Sequence, residues 1–446
     1  MLKRKIETVL EEWKQTPDHK PLVLKGCRQC GKTFSVEKFA HENYAHVVSL
    51  NFVHQPDLAF AFQNSKVVDD IIVNITAMVN GATFEPGNTC LILDEIQECP
   101  EARTALKFFK LDGRFDVIAT GSLLGVKGYG QRRKNGEEFR KTSVPVGYET
   151  IIEMYPLDFE EYLWANGIPD LVIQRLKQHF VEKTPIEEAI HQRMRQLLLQ
   201  YTVVGGMPEA VNTFIETHDM GRVLNVQRTI IDEYKDDMMK YANDEDKPHI
   251  RECFESIPRQ LSKENKKFQY SVIRKGGKAA QYKGSLQWIE DAGIIQRCRN
   301  LSITELPLDG NAIDEVFKVY MADTGLLIAM LEEGTQLDVL QGNLLGYKGA
   351  IFENLIADIF GKMRRKLYYF RKESGLEIDF VIRYQGHCTL VEAKSTTGNV
   401  KSTKTILSHP EKYHVYHAIK LGDYNIGYSG NMLTLPHYMA FFLTER

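Results

Sequence analysis

Leu22-Val23-Leu24-Lys25-Gly26-Cys27-Arg28-Gln29-Cys30-Gly31-Lys32-Thr33-Phe34 is the stretch on which the fold turns. Its apolar start reads as a short buried strand. Gly26 to Thr33 (Gly26, Cys27, Arg28, Gln29, Cys30, Gly31, Lys32 and Thr33) then fits G-x-x-x-x-G-K-[ST], the phosphate-cradling loop between a strand and a helix. Gly26 and Gly31 let the main chain close around an anion where a Cβ would collide. The loop N–H groups and the N-terminus of the next helix then face the phosphates. Lys32 supplies a point charge for the β- and γ-phosphates, and Thr33 a hydroxyl ligand for Mg²⁺. Phe34, Val36, Phe39 and Ala40 predict an amphipathic helix directly after the loop.

A second stretch, Cys90-Leu91-Ile92-Leu93-Asp94-Glu95-Ile96-Gln97, lies about sixty residues further on. A buried strand ending in two acids suits the metal-and-water side of nucleotide hydrolysis. Asp94 is expected to hold the Mg²⁺ shell and Glu95 to polarise the attacking water as general base. A third strand, Asp116 to Ser122, ends in small hydroxyl side chains, so that Ser122 or Thr120 is placed to sense a γ-phosphate. An ordinary strand-end turn has the same composition. ATP and Mg²⁺ are the ligands these stretches imply.

The 446 residues suffice for two to four domains, and 43% hydrophobic with 26% charged residues is ordinary for a globular protein. The net charge of −3 leaves any nucleic-acid partner to local charge. No apolar run approaches the ~18 residues of a membrane span. Met1-Leu2-Lys3-Arg4-Lys5-Ile6-Glu7 lacks the apolar core of a signal peptide. Seven scattered cysteines suit a reducing cytoplasm, where the chain is expected to reside. Cys27 and Cys30 form C-x-x-C without the second pair a zinc site needs; they read as a redox pair or as coincidence.

Periodicity predicts helix over 1–16, strand over 22–25, helix over 32–44 and strand over 46–52. Helical segments at 56–63 and 66–79 precede strand 90–95, helix 100–111 and strand 116–121. This alternation predicts an α/β fold: a P-loop NTPase parallel sheet covered on both faces. The basic loop from Gly125 to Pro145 reads as a solvated loop or as the source of an arginine finger. A finger supplied in trans could come from a second copy of the chain, which makes a homo-oligomer a candidate assembly. Residues 170–245 read as helical, with Pro208 in a first helical turn. Helices at 248–262 and 279–292, with strands at 294–299 and 317–321, suggest a winged helix. Lys263, Lys266, Lys267, Arg274, Lys275, Lys278 and Lys283 give that region a basic footprint fitting DNA, or equally a solvated basic face.

Near the C-terminus, Glu377-Ile378-Asp379-Phe380-Val381-Ile382-Arg383-Tyr384 and His387-Cys388-Thr389-Leu390-Val391-Glu392-Ala393-Lys394 flank Gln385-Gly386, a hairpin signal. A two-residue turn there sets Asp379 opposite Glu392, with Cβ atoms ~5 Å apart. Lys394 shares their face. Neighbouring carboxylates repel unless a cation intervenes, so Asp379 and Glu392, joined by Glu353 from a helix over 348–360, are candidate metal ligands with Lys394 beside them. A surface hairpin carrying a Lys–Glu pair is the plainer alternative.

Together Gly26–Thr33, Leu91–Gln97, Thr120–Ser122, Tyr155–Leu163, Gly205–Val211, Phe317–Leu327 and Glu353…Asp379…Glu392-Ala393-Lys394 resemble a family of prokaryotic AAA-like ATPases with a C-terminal domain similar to restriction endonucleases. The resemblance implies a P-loop ATPase domain over 1–165 and a helical connector over 166–245. A winged-helix-like domain over 246–335 and an α/β nuclease-like domain over 336–446 complete it. Gly147-Tyr148 stands where many members carry a basic residue, so the resemblance gives no arginine or lysine contact to nucleotide from that point. The sequence leaves three functions open: an ATPase acting on or near DNA, a nucleotide-gated protein-interaction switch with an inactive nuclease-like scaffold, or an ATP-regulated metal-dependent nuclease.

Overall fold

A computed structural model describes residues 1–63, 65–123, 147–241, 246–263, 266–343, 347–394 and 400–444. The chain divides into two compact units. One comprises Lys3–Tyr155 with Asp237–Asp244, the other Pro156–Asp236 with Glu245–Arg446 and the first two residues.

In the first unit the described strands are β1 (Leu22–Gly26), β2 (His46–Asn51), β3 (Thr89–Asp94), β4 (Asp116–Ser122) and β5 (Thr150–Met154). They form one parallel sheet in the order β2-β3-β4-β1-β5. Successive side chains of a strand point to opposite faces. Leu22, Leu24, Cys90, Ile92 and Ile118 therefore pack with the helices Lys5–Gln15 and Lys32–Asn43 on one face. Val23, Leu91, Leu93, Val117 and Ala119 pack with the helices Val68–Met78 and Pro100–Asp112 on the other. Serving two cores at once is why β3 is buried along its whole length. The helix Pro100–Asp112 has Pro at its start and ends at Gly113 with φ 72°, the left-handed stop that glycine adopts without strain.

The expected P-loop NTPase sheet is thus present. β5 is the strand that periodicity missed: it is short, only partly buried, and among the described residues pairs with β1 alone.

The second unit begins with a capping box, in which Asp158 accepts from the Glu161 N–H and Glu161 from the Asp158 N–H, starting the helix Phe159–Ala165. Helices Asp170–Glu182, Glu188–Val204, Pro208–Thr217 and Met220–Tyr241 follow. Next come helices Lys247–Leu261, Tyr270–Ile273 and Ala279–Asp291, then an antiparallel hairpin of β6 (Ile295–Leu301) and β7 (Ala312–Met321). β6 also pairs in parallel with β8 (Leu367–Arg371), which pairs with β9 (Glu377–Ile378). One sheet therefore carries strands from before and after residue 336, tying these stretches into a single unit. A further sheet runs β10 (Phe380–Tyr384), β11 (His387–Ala393), β12 (His417–Gly422), β14 (Met432–Pro436), β13 (Gly427–Ser429) in spatial order.

A buried polar network pins this unit. The Gly206 N–H donates to Asp323 Oδ2 at 2.7 Å, and Lys362 Nζ pairs with Asp323 at 3.3 Å and Asp358 at 2.7 Å. A Cβ on Gly205 would lie 2.2 Å from Asp323 Oδ1, and one on Gly206 2.1 Å from the Leu157 carbonyl oxygen, so Gly205 is required by packing against the Phe317–Leu327 segment and Gly206 by packing against Leu157.

Candidate functional site

Two groups of side chains have chemistry to offer, one in each unit. In the first unit, β1 delivers Gly26 to the loop, and Gly31 at φ 93° turns the chain into the helix Lys32–Asn43. A Cβ at Gly26 would lie 2.4 Å from the Met154 carbonyl oxygen and 2.9 Å from Cys30 Sγ, so the loop can start here only on glycine. Gln29 also has a positive φ, 61°. Arg28 is ion-paired with Asp237 of the same unit. Lys32 is buried, and its ammonium donates to the carbonyls of Gly26 at 3.2 Å and Cys27 at 2.8 Å, folded onto the loop it would leave for a phosphate.

The Thr33 hydroxyl donates to Asp94 Oδ1 at 3.0 Å, which joins the loop to the end of β3. Asp94 also accepts from the Thr120 hydroxyl and, on Oδ2, from Asn51 Nδ2 at 2.7 Å. Thr120 is therefore committed to Asp94. Ser122, two residues further along β4, is buried opposite Gly26. Asn51 escaped the sequence reading: its signal is a polar residue ending a strand whose parallel register sets it beside Asp94. Its own Oδ1 accepts from the N–H groups of Val53 and His54 at 3.0 and 2.8 Å, which fixes the amide. Glu95 sits half-buried with φ 55°, ψ 49°, its carboxylate accepting from Gln97 Nε2. A hydroxyl and a carboxylate in contact at the mouth of a phosphate loop are a donor set that fits Mg²⁺. The basic loop expected to carry an arginine finger lies outside the described residues.

In the second unit, β10 and β11 pair Phe380 with Val391 and Tyr384 with His387, the register of a two-residue turn at Gln385-Gly386. Asp379 directly precedes β10 and accepts from the Ala393 N–H at 2.9 Å. Lys394 Nζ lies 3.5 Å from Asp379 and 2.5 Å from Glu392, whose other oxygen accepts from Thr403 at 2.6 Å. Glu353, buried on the helix Lys348–Lys362, has both oxygens occupied: Oε1 by Lys318 Nζ at 2.9 Å and the Tyr320 hydroxyl, Oε2 by Lys266. Lys318 also reaches Glu377 at 2.8 Å. Burial works against the Glu353 charge, but Lys318 and Lys266 outweigh it and hold the carboxyl well below the usual range. Asp379 goes the other way: burial, then the Glu353 and Glu392 charges, push it up to about 7.

The cations that settle these carboxylates are lysines. Among the described residues no group of three or more His, Cys, Asp or Glu side chains is arranged to hold a metal. With Lys394 between Asp379 and Glu392, and Glu353 saturated, the arrangement does not fit a divalent ion. Lys266 is accordingly withdrawn from the basic footprint. Arg274, Lys275, Lys278 and Lys283 remain exposed around the start of the helix Ala279–Asp291.

Among the described residues no helix is long and apolar enough to cross a membrane. Residues 18–163 match the model of an AAA domain. Residues 195–337 match a domain of unknown function, DUF8612, and residues 348–438 another, DUF4143. No curated protein matches the chain. Among solved structures, a Walker-type ATPase of Pyrococcus abyssi aligns at 13% identity over 74% of this chain and 96% of that one, with a TM-score of 0.42. The N-terminal domain is thus an AAA-type P-loop ATPase domain, and ATP is the ligand such a domain binds.

Proposed function

We propose that this protein is a Mg²⁺-dependent ATPase acting on or near duplex DNA in the cytoplasm, with its C-terminal carboxylate cluster serving as scaffold. The observation that carries the ATPase reading is the Thr33–Asp94 hydrogen bond at the mouth of the P-loop. Thr33 and Asp94 are the residues that would hold Mg²⁺, which neutralises charge on the β- and γ-phosphate oxygens. Lys32 leaves the Gly26 and Cys27 carbonyls for the phosphates, and the loop N–H groups orient them. Glu95, turned by its left-handed backbone and restrained by Gln97, takes a proton from the attacking water, and Ser122, opposite Gly26, is the residue that would sense the terminal phosphate. Glu95→Gln should bind ATP yet turn over about 10²–10⁴-fold more slowly, as loss of a general base predicts. Wild-type turnover in that variant would remove Glu95 from this role.

The DNA reading is supported by the exposed face of the helix Ala279–Asp291, where Gln281, Lys283 and Gln287 carry no negative charge and Arg274, Lys275 and Lys278 precede it. Three helices followed by a two-stranded wing are the order a winged helix requires. Duplex binding should weaken steeply with salt, and replacing the four exposed basic residues by Ala should lower the log–log slope by about 2–4. Salt-independent or absent binding would favour the nucleotide-gated protein-interaction switch instead.

A further inference from the structure

Cys27 and Cys30 meet inside the phosphate loop, and the nucleotide chemistry above uses neither sulfur. Both are buried thiols, Cys27 6% and Cys30 0% exposed. The left-handed residues Gln29 and Gly31 bracket Cys30, and Cys27 and Cys30 lie in one core cluster, where the Cys27 thiol hydrogen-bonds to Cys30. The Cys30 sulfur lies 3.6 Å from the Met154 carbonyl oxygen, and its own carbonyl accepts from Arg4 Nη1 at 3.0 Å. Contacts to the Met154 carbonyl and the Arg4 guanidinium thus fix Cys30 beside its partner.

We propose that Cys27 and Cys30 are a redox modification site whose reactant is hydrogen peroxide, and whose oxidised form is a disulfide across the phosphate loop. The inference rests on nucleotide binding at this loop. With a peroxide, the deprotonated sulfur of the pair attacks one oxygen; an S–O bond forms, the O–O bond breaks, and the departing hydroxide takes up a proton as water. The second sulfur, giving up its proton, attacks the sulfenic sulfur; the S–S bond forms, the S–O bond breaks, and a second water leaves. Two thiols lose two electrons in total, and the peroxide gains them.

The Cys27 hydrogen bond, with Lys32 and Arg4 nearby, overcomes burial and pulls the Cys30 thiol down to about 6, which supplies thiolate at neutral pH. Burial keeps the reaction slow and restricts it to small oxidants. An S–S bond of about 2.05 Å is far shorter than a thiol–thiol hydrogen bond. Closing it draws the two residues together and moves the Cys27 carbonyl, the present partner of Lys32 at 2.8 Å. The N–H fan that must match a triphosphate contracts with it, and ATP affinity falls.

The test uses the full chain, reduced with dithiothreitol or oxidised with hydrogen peroxide. Trypsin cuts after Arg28, between the two cysteines, so an intramolecular bond joins two otherwise separate peptides. The expected result is that linked pair, a fall in titratable thiols of the denatured chain from seven to five, and ATP affinity at least tenfold weaker, restored by dithiothreitol. In Cys27→Ser the reversible, oxidant-dependent loss should disappear. Unlinked peptides after oxidation, linked peptides with unchanged ATP affinity, or an undiminished reversible loss in Cys27→Ser would each overturn the proposal. A reduced chain that binds no ATP would instead sink the nucleotide reading, while peptide mapping still decides whether the disulfide forms.

Discussion

Replacing Lys318 by Met removes the charge that sits between two carboxylates. The ammonium lies 2.9 Å from Glu353 and 2.8 Å from Glu377, and the Lys318 side chain is only 1% exposed. Methionine keeps most of the aliphatic stem, so packing is largely preserved while the ammonium over the Tyr369 ring, 4.9 Å from its centroid, is lost. Glu353 is left buried with Lys266 and the Tyr320 hydroxyl. Removing one partner of a buried pair costs about 3–5 kcal/mol; with Lys266 still in place, about 2–4 is expected. Adding Glu353→Gln should return part of it, a coupling of about 1–3 kcal/mol. Hydrogen exchange of peptides covering Lys348–Lys362 reads this opening locally, which suits a chain of two units. Mn²⁺ should slow exchange of this helix in Lys318→Met, where the carboxylates have lost their cation, and not in the wild type. A change under about 1 kcal/mol in the variant, or Mn²⁺ protection of the wild type, would refute the account of a lysine-compensated cluster.

Asp379→Asn tests the cluster through pH. The folded carboxyl is raised to about 7, above its unfolded value near 4, so the native state binds the extra proton and stability falls as pH rises between those values. The Asn variant should match the wild type near pH 4 and be about 1–3 kcal/mol more stable at pH 8 by urea denaturation; equal stability at both would exclude the shift. Asn51→Ala should raise the Mg²⁺ concentration needed for ATPase activity about 10–100-fold while leaving metal-free ATP binding unchanged, because it frees Asp94 without touching the loop. Gly26→Ala should abolish ATP binding and lower stability by roughly 1–3 kcal/mol, since the added methyl meets the Met154 carbonyl; wild-type affinity would mean the loop relaxes freely.

The parallel sheet was legible because β1, β3 and β4 feed two cores and so read as nearly continuous apolar runs between amphipathic helices. β5 was not, because a short strand with half-exposed Ile151 and Glu153 carries little periodic signal. The β10–β11 register followed from local turn chemistry. The partners of Glu353 did not: Lys318 and Lys266 are 35 and 87 residues away in sequence, and long-range pairing of lysines with carboxylates leaves no local pattern. The same distance hid Asn51 from Asp94, and it made Thr120 look like a phosphate sensor when its hydroxyl goes to that carboxylate. Gly205-Gly206 stood out in the family resemblance, but only the contacts with Asp323 and with the Leu157 carbonyl give the reason.

The nucleotide site is tested most directly by equilibrium ATP binding to the reduced wild-type chain and to Lys32→Ala, each with and without Mg²⁺. The structure gives Lys32 two carbonyl partners that it can exchange for phosphates, and places Thr33 and Asp94 in contact where the metal is expected. Saturable wild-type binding that tightens with Mg²⁺, and a loss of at least a hundredfold in Lys32→Ala, is the predicted result. Equal affinity in the two proteins, or wild-type binding indifferent to Mg²⁺, would contradict it.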